Sequence, residues 1–198
     1  MSDDLRLEIA SPAHFDRTQL LLRIAIAIVL GWFGITLGWT AGVLYLVLPV
    51  LAAVGISAVG RERYQAEYAP RVQRALQWLL GFEAYLILLT DRLPTSADEG
   101  FAIEVHPSGT PTIASSLLRL ITSAPSALVG LALSCFGGLL WLPGAIWILA
   151  GARVPRWILA YQRGVLRWQA GVLAYHASIV AHYPRWTFDT HDHAAVAA

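Results

Sequence analysis

Residues 23–61 have the sequence RIAIAIVLGWFGITLGWTAGVLYLVLPVLAAVGISAVGR, in which no charged side chain lies between the two terminal arginines. A second charge-free window runs from Arg119 to Arg153. One helix needs roughly 20 residues to cross about 30 Å of hydrocarbon, and each window is longer than that. Each window is therefore predicted to form two short membrane helices joined by a tight turn, with one long tilted helix as the alternative.

Breaks near the middle of both windows favour the two-helix prediction. In the first window, Gly38-Trp39 separates the apolar stretches Leu20–Leu37 and Thr40–Val59. The second window is divided in the same way, by Ser134-Cys135 and the nearby Gly137-Gly138, into Ser116–Leu133 and Phe136–Ala150. Such short uncharged turns are typical of helical hairpins in a membrane. We therefore predict transmembrane hairpins over residues 20–59 and 116–150.

The composition also indicates a membrane protein. The chain is 57% hydrophobic and only 14% charged, which lies outside the ordinary range of soluble proteins. Its net charge of only +1 implies no polyanion-binding tail, so nucleic acid is not expected as a partner. The single cysteine, Cys135, excludes an intrachain disulfide. No cofactor is predicted.

The two halves of the chain share sequence. Leu21-Leu22-Arg23 returns as Leu117-Leu118-Arg119, and six further residues return at one constant offset. The six pairs are Leu76 and Leu166, Trp78 and Trp168, Gly81 and Gly171, Ala84 and Ala174, Tyr85 and Tyr175, and Pro94 and Pro184. Identity at a fixed period predicts a tandem repeat. We place repeat 1 at residues 1–97, repeat 2 at 98–186 and a disordered tail at 187–198.

A helix of a different kind is predicted after each charge-free window. Over Tyr161–His182, apolar residues recur every three or four positions, and Arg163 and Arg167 fall on another face. The corresponding segment of repeat 1 is Ala69–Thr90. Amphipathic helices of this kind lie in the membrane interface with their basic side towards phosphate groups. A membrane-spanning Leu76–Leu89 is the alternative for the first of them.

Each repeat begins with an alternating stretch. Leu5–Ile9 and Phe101–Val105 carry apolar residues at every second position, and a proline follows each of them. This pattern predicts two cytoplasmic strands that pair with each other. A ribbon of two strands is marginal alone and needs helices beneath it. The predicted fold class is thus an all-α membrane protein of two tandem repeats, each a transmembrane hairpin plus an amphipathic interfacial helix, with short β segments.

The arginines predict the orientation in the membrane. All fourteen basic residues are arginine, and almost all of them lie outside the predicted hairpins. The positive-inside rule then places this side of the protein, with both termini, in the cytoplasm. Arg23 and Arg119 stand where the first helix of each hairpin enters the membrane, and they are predicted to snorkel to the headgroups.

Several motifs resemble those of a known family. They are Leu88-Leu89-Thr90-Asp91-Arg92-Leu93-Pro94, Gly164-Val165-Leu166-Arg167-Trp168 with Ala174-Tyr175 and Tyr183-Pro184, and Gly151-Ala152-Arg153-Val154-Pro155. The chain resembles bacterial membrane proteins called domain of unknown function 4389, over nearly its whole length. It departs from them at Gln77-Trp78 and Ala181-His182, where the family has Arg-Trp and Asp-Arg. The resemblance implies a multi-pass protein of the bacterial inner membrane, and it implies no established activity.

Candidates for catalysis and metal binding are weak. A membrane-bound hydrolase would need Gly-x-Ser-x-Gly on a strand-to-helix turn. Around Ser57 the spacing is one residue too long and the segment is an apolar helix, so Ser57 is interpreted as a small packing residue. His182, His191 and His193 could hold a divalent ion, but they lie at or near the predicted disordered tail. No catalytic or metal residues are therefore predicted.

Glu83 is the acid embedded in an apolar helical segment. A submerged Glu83 would be a candidate for a proton relay or an ion site. Because repeat 2 has Leu173 at the matching position, we predict instead that Glu83 lies on the wet face of an interfacial helix.

The arginines and tryptophans of the amphipathic helices are the candidate binding residues. The predicted contacts to anionic lipid headgroups are made by Arg71, Arg74, Arg163, Arg167, Trp78 and Trp168. Ordinary topology charges would explain the arginines almost as well. We predict a non-enzymatic accessory or scaffold subunit whose partners are membrane lipids and a larger membrane complex or further copies of the chain. The alternatives are a small transporter or lipid-handling protein with a polar groove between the repeats, and a membrane-bound hydrolase.

Overall fold

The computed structural model describes residues 5–33, 37–94 and 101–184, and these are mostly helical. The elements are β1 (Leu5–Ile9), α1 (Arg17–Trp32), α2 (Leu37–Val59), α3 (Arg61–Arg63), a π-helical segment (Tyr64–Tyr68), α4 (Ala69–Leu86), β2 (Phe101–Val105), α5 (Ile113–Gly151) and α6 (Arg156–His176). Within these ranges, Trp39–Val59 and Ile113–Gly151 are long and apolar enough to cross a membrane. The predicted tail at 187–198 lies outside the described residues.

The two predicted strands are confirmed with the same boundaries. β1 and β2 pair antiparallel, with Leu7 opposite Ile103. The odd-numbered residues of β2 are buried and its even-numbered residues are exposed, so one face of the ribbon is covered. That face lies on α4, where the Gln73 side chain donates a hydrogen bond to the Ile103 carbonyl at 3.0 Å. The ribbon is therefore supported by a helix, as a ribbon of only two strands requires.

Helix α2 packs along the first half of α5 in an antiparallel arrangement. The space beside Gly42 is filled by Ala127, and the Ser123 hydroxyl donates to the Tyr45 carbonyl at 2.6 Å. The later residue of α2, Tyr45, therefore contacts the earlier residue of α5, Ser123. Helix α1 lies instead against α4 and α5. Two helices are present in the first window, as predicted, but α2 already begins at Leu37, so Gly38-Trp39 is not the break. The two helices do not pack as a hairpin over residues 20–59, because the main partner of α2 is α5.

Helix α5 overturns the second predicted hairpin. Residues Ile113–Gly151 form one continuous helix of 39 residues, about 58 Å long at about 1.5 Å per residue. Gly137 does not mark a turn here. A Cβ atom at Gly137 would lie 3.2 Å from the Gln162 side-chain oxygen, so this glycine allows α6 to approach closely. The chain adopts the alternative of one long helix.

Helices α4 and α6 form where amphipathic helices were predicted, but both end earlier. The predicted ends were Thr90 and His182, and the helices end at Leu86 and His176. In each case a left-handed residue stops the helix, Leu88 at φ 66° and Ser178 at φ 59°. Glycine usually occupies such a position, so the sequence shows no obvious stop signal there.

Both helix ends are the same capping motif. The Leu89 amide donates to the Ala84 carbonyl at 2.9 Å, and the Leu88 amide donates to the Tyr85 carbonyl at 3.4 Å. The equivalent pair after α6 is Ile179 to Ala174 at 3.1 Å and Ser178 to Tyr175 at 2.9 Å. These paired bonds define the Schellman motif. The chain leaves α4 and α6 along matching paths.

Candidate functional site

The predicted headgroup residues fall into two groups. Arg71, Arg74 and Arg167 are exposed, and the side chain of Trp78 is 57% exposed. Trp78 stacks on Phe82 with parallel rings 5.8 Å apart, so α4 presents a flat aromatic surface. These four residues are accessible at the surface of the protein.

The other two residues lie within the protein. Trp168 is only 7% exposed, and its ring lies against Gly130 of α5. The prediction that Trp168 contacts headgroups is therefore wrong for this fold, because the tryptophan fills the space between two helices. Arg163 is half-buried, and its guanidinium donates a hydrogen bond to the Ser11 hydroxyl at 2.8 Å. Its role includes holding the segment that follows β1.

Arg23 is buried rather than snorkelled. Its side chain is 0% exposed, and its guanidinium donates to the Thr90 carbonyl at 2.5 Å and to the Asp91 carboxylate at 2.7 Å. The guanidinium also lies over the Tyr85 ring, 4.5 Å from the ring centre. Burial raises the pKa of the Tyr85 hydroxyl, and the nearby positive charge of Arg23 opposes that rise. Arg23 thus ties α1 to the turn after α4.

Arg119 makes the equivalent contacts in the second half. It is 7% exposed and lies over the Tyr175 ring, 4.3 Å from the ring centre. Its guanidinium donates to the carbonyls of Tyr175 and Val180, the latter at 3.0 Å. Among the described residues no carboxylate pairs with it, because Ala181 stands where the first half has Asp91. The expectation that both arginines reach the headgroups is wrong, since both guanidinium groups donate to backbone carbonyls at or just beyond the Schellman turns.

Most of the residues that repeat between the two halves have the same packing or hydrogen-bonding role in each half. A Cβ atom at Gly81 would lie 3.2 Å from Cβ of Pro94, and one at Gly171 would lie 2.8 Å from Cβ of Pro184. Each returning segment therefore crosses directly over a helical glycine. Ala84 and its counterpart Ala174 are fully buried and accept the capping hydrogen bonds. Trp78 and Trp168 break the correspondence, because one is exposed and the other buried.

Glu83 is an acidic residue that is buried in the protein, contrary to the prediction. Its side chain is 8% exposed, in a cluster of side chains from α4, α6 and α2. The prediction of a wet face is wrong, because α6 covers this side of α4. Burial raises the pKa of the Glu83 carboxyl to about 7, and a hydrogen bond with the Gln169 side chain opposes that rise. A carboxyl group in this environment changes protonation near neutral pH.

Two further polar groups, Gln169 and Tyr45, interact with this carboxyl group, and His176 stacks on one of them. Gln169 is 2% exposed, and its side-chain oxygen has no hydrogen-bond partner among the described residues. The Tyr45 hydroxyl is likewise buried without a partner in that part of the chain. The Tyr45 ring stacks on His176, with ring centres 5.4 Å apart. Burial lowers the pKa of His176, which favours the neutral imidazole, while its hydrogen bond to the Val172 carbonyl opposes that fall.

A small cavity opens beside Glu83. It measures about 20 Å³, which is room for one water-sized occupant. Thr40, Glu83 and Gln169 provide its polar lining, and apolar side chains of α2, α4 and α6 provide the rest. We call these three residues with their cavity the Glu83 pocket.

The sequence did not single out Gln169 or Tyr45. Gln162 and Gln169 lie two helical turns apart, on the same face as the buried Leu166 and Leu173. Two amides on an apolar helix face are a signal for a buried polar contact. Tyr45, within an apolar run, gives no such signal.

The candidates for catalysis and metal binding gain nothing from the structure. The Ser57 hydroxyl donates to the Val54 carbonyl within its own helix at 2.9 Å, so it is not presented on a turn. Cys135 is exposed on α5. His191 and His193 lie outside the described residues. Within residues 5–33, 37–94 and 101–184, no group of three His, Cys, Asp or Glu side chains could hold a metal ion.

Comparison with known proteins gives no relative. No protein-family model, no curated protein and no solved structure matches the chain. The resemblance to domain of unknown function 4389 therefore stays a prediction, and so does the tandem duplication.

Proposed function

We propose that this chain is a non-enzymatic protein of the bacterial inner membrane, an accessory or scaffold subunit that binds anionic lipid. The observation that supports it is the uncovered apolar surface of α2 and α5. Only 28% of the most apolar window of each helix is buried by the rest of the protein. Large side chains along both helices remain exposed, including Leu51, Val54, Leu139 and Ile146. A surface of this kind is typical of a helix that faces lipid or another protein.

The exposed arginines supply the second half of the proposal. Arg71 and Arg74 lie on α4 beside Trp78, and Arg167 lies on α6. A guanidinium group matches the geometry of a phosphate oxygen pair, and tryptophan favours the headgroup level. This arrangement supports contact of these exposed side chains with anionic phospholipid on the cytoplasmic side. Helix α6 itself runs alongside α5, since Tyr161 donates to the Leu133 carbonyl and Arg119 donates to the Tyr175 carbonyl.

Membrane integration is tested by extraction. Membranes that contain the protein are washed with alkaline carbonate and then floated through a density gradient. The protein is expected to float with the lipid after the wash. Release into the supernatant, or a folded monomer in water without detergent, would overturn the membrane proposal.

Lipid contact is tested with matched variants. Arg71→Gln with Arg74→Gln should reduce the phosphatidylglycerol that stays bound after delipidation, measured by native mass spectrometry. The control changes Arg6 and Arg63 to Gln, because their guanidinium groups already pair with Glu8 and Glu67. Equal lipid retention in both double variants would show that ordinary topology charges account for the arginines.

The scaffold role is tested by measuring the size of the assembly that contains the protein. After extraction in a mild detergent at native abundance, the protein is expected to migrate in an assembly larger than its own 21.6 kDa. A strict monomer would contradict this role and leave the membrane proposal standing.

A small transporter is the second candidate function. One observation favours it, namely a buried acid and a buried amide that meet between α4 of the first half and α6 of the second. Uptake into vesicles that depends on Glu83 would support transport over the scaffold role.

A further inference from the structure

The Glu83 carboxyl group is buried with no positive charge to neutralise it. It is 8% exposed, and none of the ion pairs in the described ranges involves it. An unpaired carboxylate in a protein interior is strongly disfavoured. The group must therefore take up a proton, hold a cation or leave the interior.

The neighbouring side chains do not supply the missing charge. On α2, Tyr45 is the titratable group that interacts with Glu83, and a tyrosine is ordinarily neutral near pH 7. On α6, His176 stacks on the Tyr45 ring and is favoured in its neutral form. On α5, the charged Arg119 is committed to the carbonyls of Tyr175 and Val180.

A second, independent observation lies in the same pocket. The side-chain oxygen of Gln169 is buried without a hydrogen-bond donor in the described part of the chain, and Gln169 lines the cavity beside Glu83. An oxygen without a donor attracts either a proton donor or a cation. The cavity of about 20 Å³ has room for one small occupant between these groups.

We propose that the Glu83 pocket binds a single monovalent cation of the Na⁺ or K⁺ class, held by the carboxylate of Glu83 and the amide oxygen of Gln169. Alkali cations prefer oxygen ligands, as other hard cations do. One positive charge balances one carboxylate. A divalent ion would leave a net positive charge in a site with no second acid, so it is disfavoured.

The proton competes with this cation for the same oxygen atoms. Because the pKa of the Glu83 carboxyl is about 7, the cation meets a mostly ionised carboxylate only above neutral pH. The apparent affinity for the cation should therefore fall about tenfold for each pH unit below that value. The site requires neither a bilayer nor transport, so it can fail while the membrane proposal holds, and the reverse.

Thermal unfolding of the full chain in detergent tests the site. Measurements are made in sodium, potassium and choline chloride at equal ionic strength, at about pH 8, one unit above the pKa of about 7. An ion that binds only the folded state raises the melting temperature with its concentration. Sodium or potassium should raise it relative to choline, and the effect should weaken as the pH falls through 7.

Matched variants locate the effect. Glu83→Gln should abolish the difference between alkali and choline salts, and Gln169→Met should weaken it. Glu67→Gln is the control, because Glu67 is an exposed acid paired with Arg63. The wild-type comparison needs no variant, so the test survives a variant that fails to fold. Equal melting temperatures in all three salts at about pH 8 would overturn the proposal, and the pocket would then hold only water or a proton.

Discussion

The guanidinium carbon of Arg119 lies over the face of Tyr175, 4.3 Å from the ring centre. The same geometry joins Arg23 to Tyr85 in the first half, at 4.5 Å. The two arrangements differ in their electrostatics, because only Arg23 is also paired with a carboxylate, that of Asp91, among the described residues. Replacement of Arg23 and replacement of Arg119 should therefore lower the stability of the protein by different amounts.

Arg23→Met should destabilise the protein more than Arg119→Met. The first change leaves the Asp91 carboxylate, which is 16% exposed, without its partner, and breaking such a pair costs roughly 3 kcal/mol. The second change removes a buried charge that has no counterion. Melting temperatures in detergent provide the measurement.

A double variant is the control for this asymmetry. Arg23→Met with Asp91→Asn should recover part of the loss, because no unpaired acid remains. A larger loss in Arg119→Met than in Arg23→Met would show that the aromatic and carbonyl contacts outweigh the ion pair.

Leu88→Gly should be more stable than Leu88→Ala. Both changes remove a buried side chain, at a cost of roughly 2 to 5 kcal/mol. Only glycine relieves the left-handed backbone at φ 66°, which costs alanine about 1 kcal/mol. Chemical denaturation in detergent measures the difference. The usual order, with alanine the more stable, would mean that the turn relaxes after the side chain is lost.

In choline chloride, without alkali cations, Glu83 should make the melting temperature fall as the pH rises from about 4.5 to about 7. The pKa of Glu83 is raised from 4.5 to about 7 in the folded protein. A folded-state pKa above the unfolded value means that the folded protein binds more protons between these two pH values. The stabilisation is therefore complete below about pH 4.5 and is lost by pH 7, and it amounts to roughly 3 kcal/mol.

Glu83→Gln should lose this fall and be more stable than the wild type above pH 7. The buried His176, whose pKa is lowered, should then leave a stability that rises with pH over the same interval. Glu67→Gln should keep the wild-type profile. A fall that is the same in Glu83→Gln as in the wild type would show that the carboxyl group keeps its ordinary pKa of 4.5 and that water reaches it.

Trp168→Ala should cost roughly 3 to 5 kcal/mol, because it opens a cavity between α5 and α6. Trp78→Ala should change the stability by less than about 0.5 kcal/mol, because its side chain is exposed. Unfolding curves of both variants in one detergent make the comparison. Similar losses would indicate that the Trp78–Phe82 stack carries more of the fold than its exposure implies.

Spin labels should report the continuity of α5. Cysteines at Leu118 and Ile146, both exposed, replace the native Cys135 as labelling sites. A continuous helix that rises about 1.5 Å per residue separates them by about 42 Å. A hairpin would bring them within roughly 20 Å, since packed helices lie about 10 Å apart. Pulsed electron resonance distinguishes the two distances, and the short one would restore the hairpin.

Local patterns predicted the strands and the existence of α4 and α6. Alternation in Leu5–Ile9 and Phe101–Val105 depends only on neighbouring residues, so the strand boundaries agree with the structure. The helix ends were missed because Leu88 and Ser178 adopt a conformation that glycine normally signals. Burial of Leu88 in a neighbouring cluster stabilises that conformation, and this is a tertiary effect.

Errors at the site have a tertiary origin too. Glu83 and Trp168 were assigned to water and lipid because each was considered on its own helix. Both are buried where α6 meets α4 or α5, and no local pattern shows which face a second helix will cover. The burial of Arg23 was missed for the same reason, because its acceptor, the Thr90 carbonyl, is far away in the sequence.

The pairing of β1 with β2 has a consequence for biosynthesis. β1 has no partner until Phe101–Val105 has left the ribosome, because every bond of the ribbon joins these two segments. At roughly 5 to 20 residues per second, β1 waits on the order of 5 to 20 seconds with its edges open to other chains. A ribosome that stalls before residue 101 would therefore hold a chain whose first strand can pair only with a neighbour.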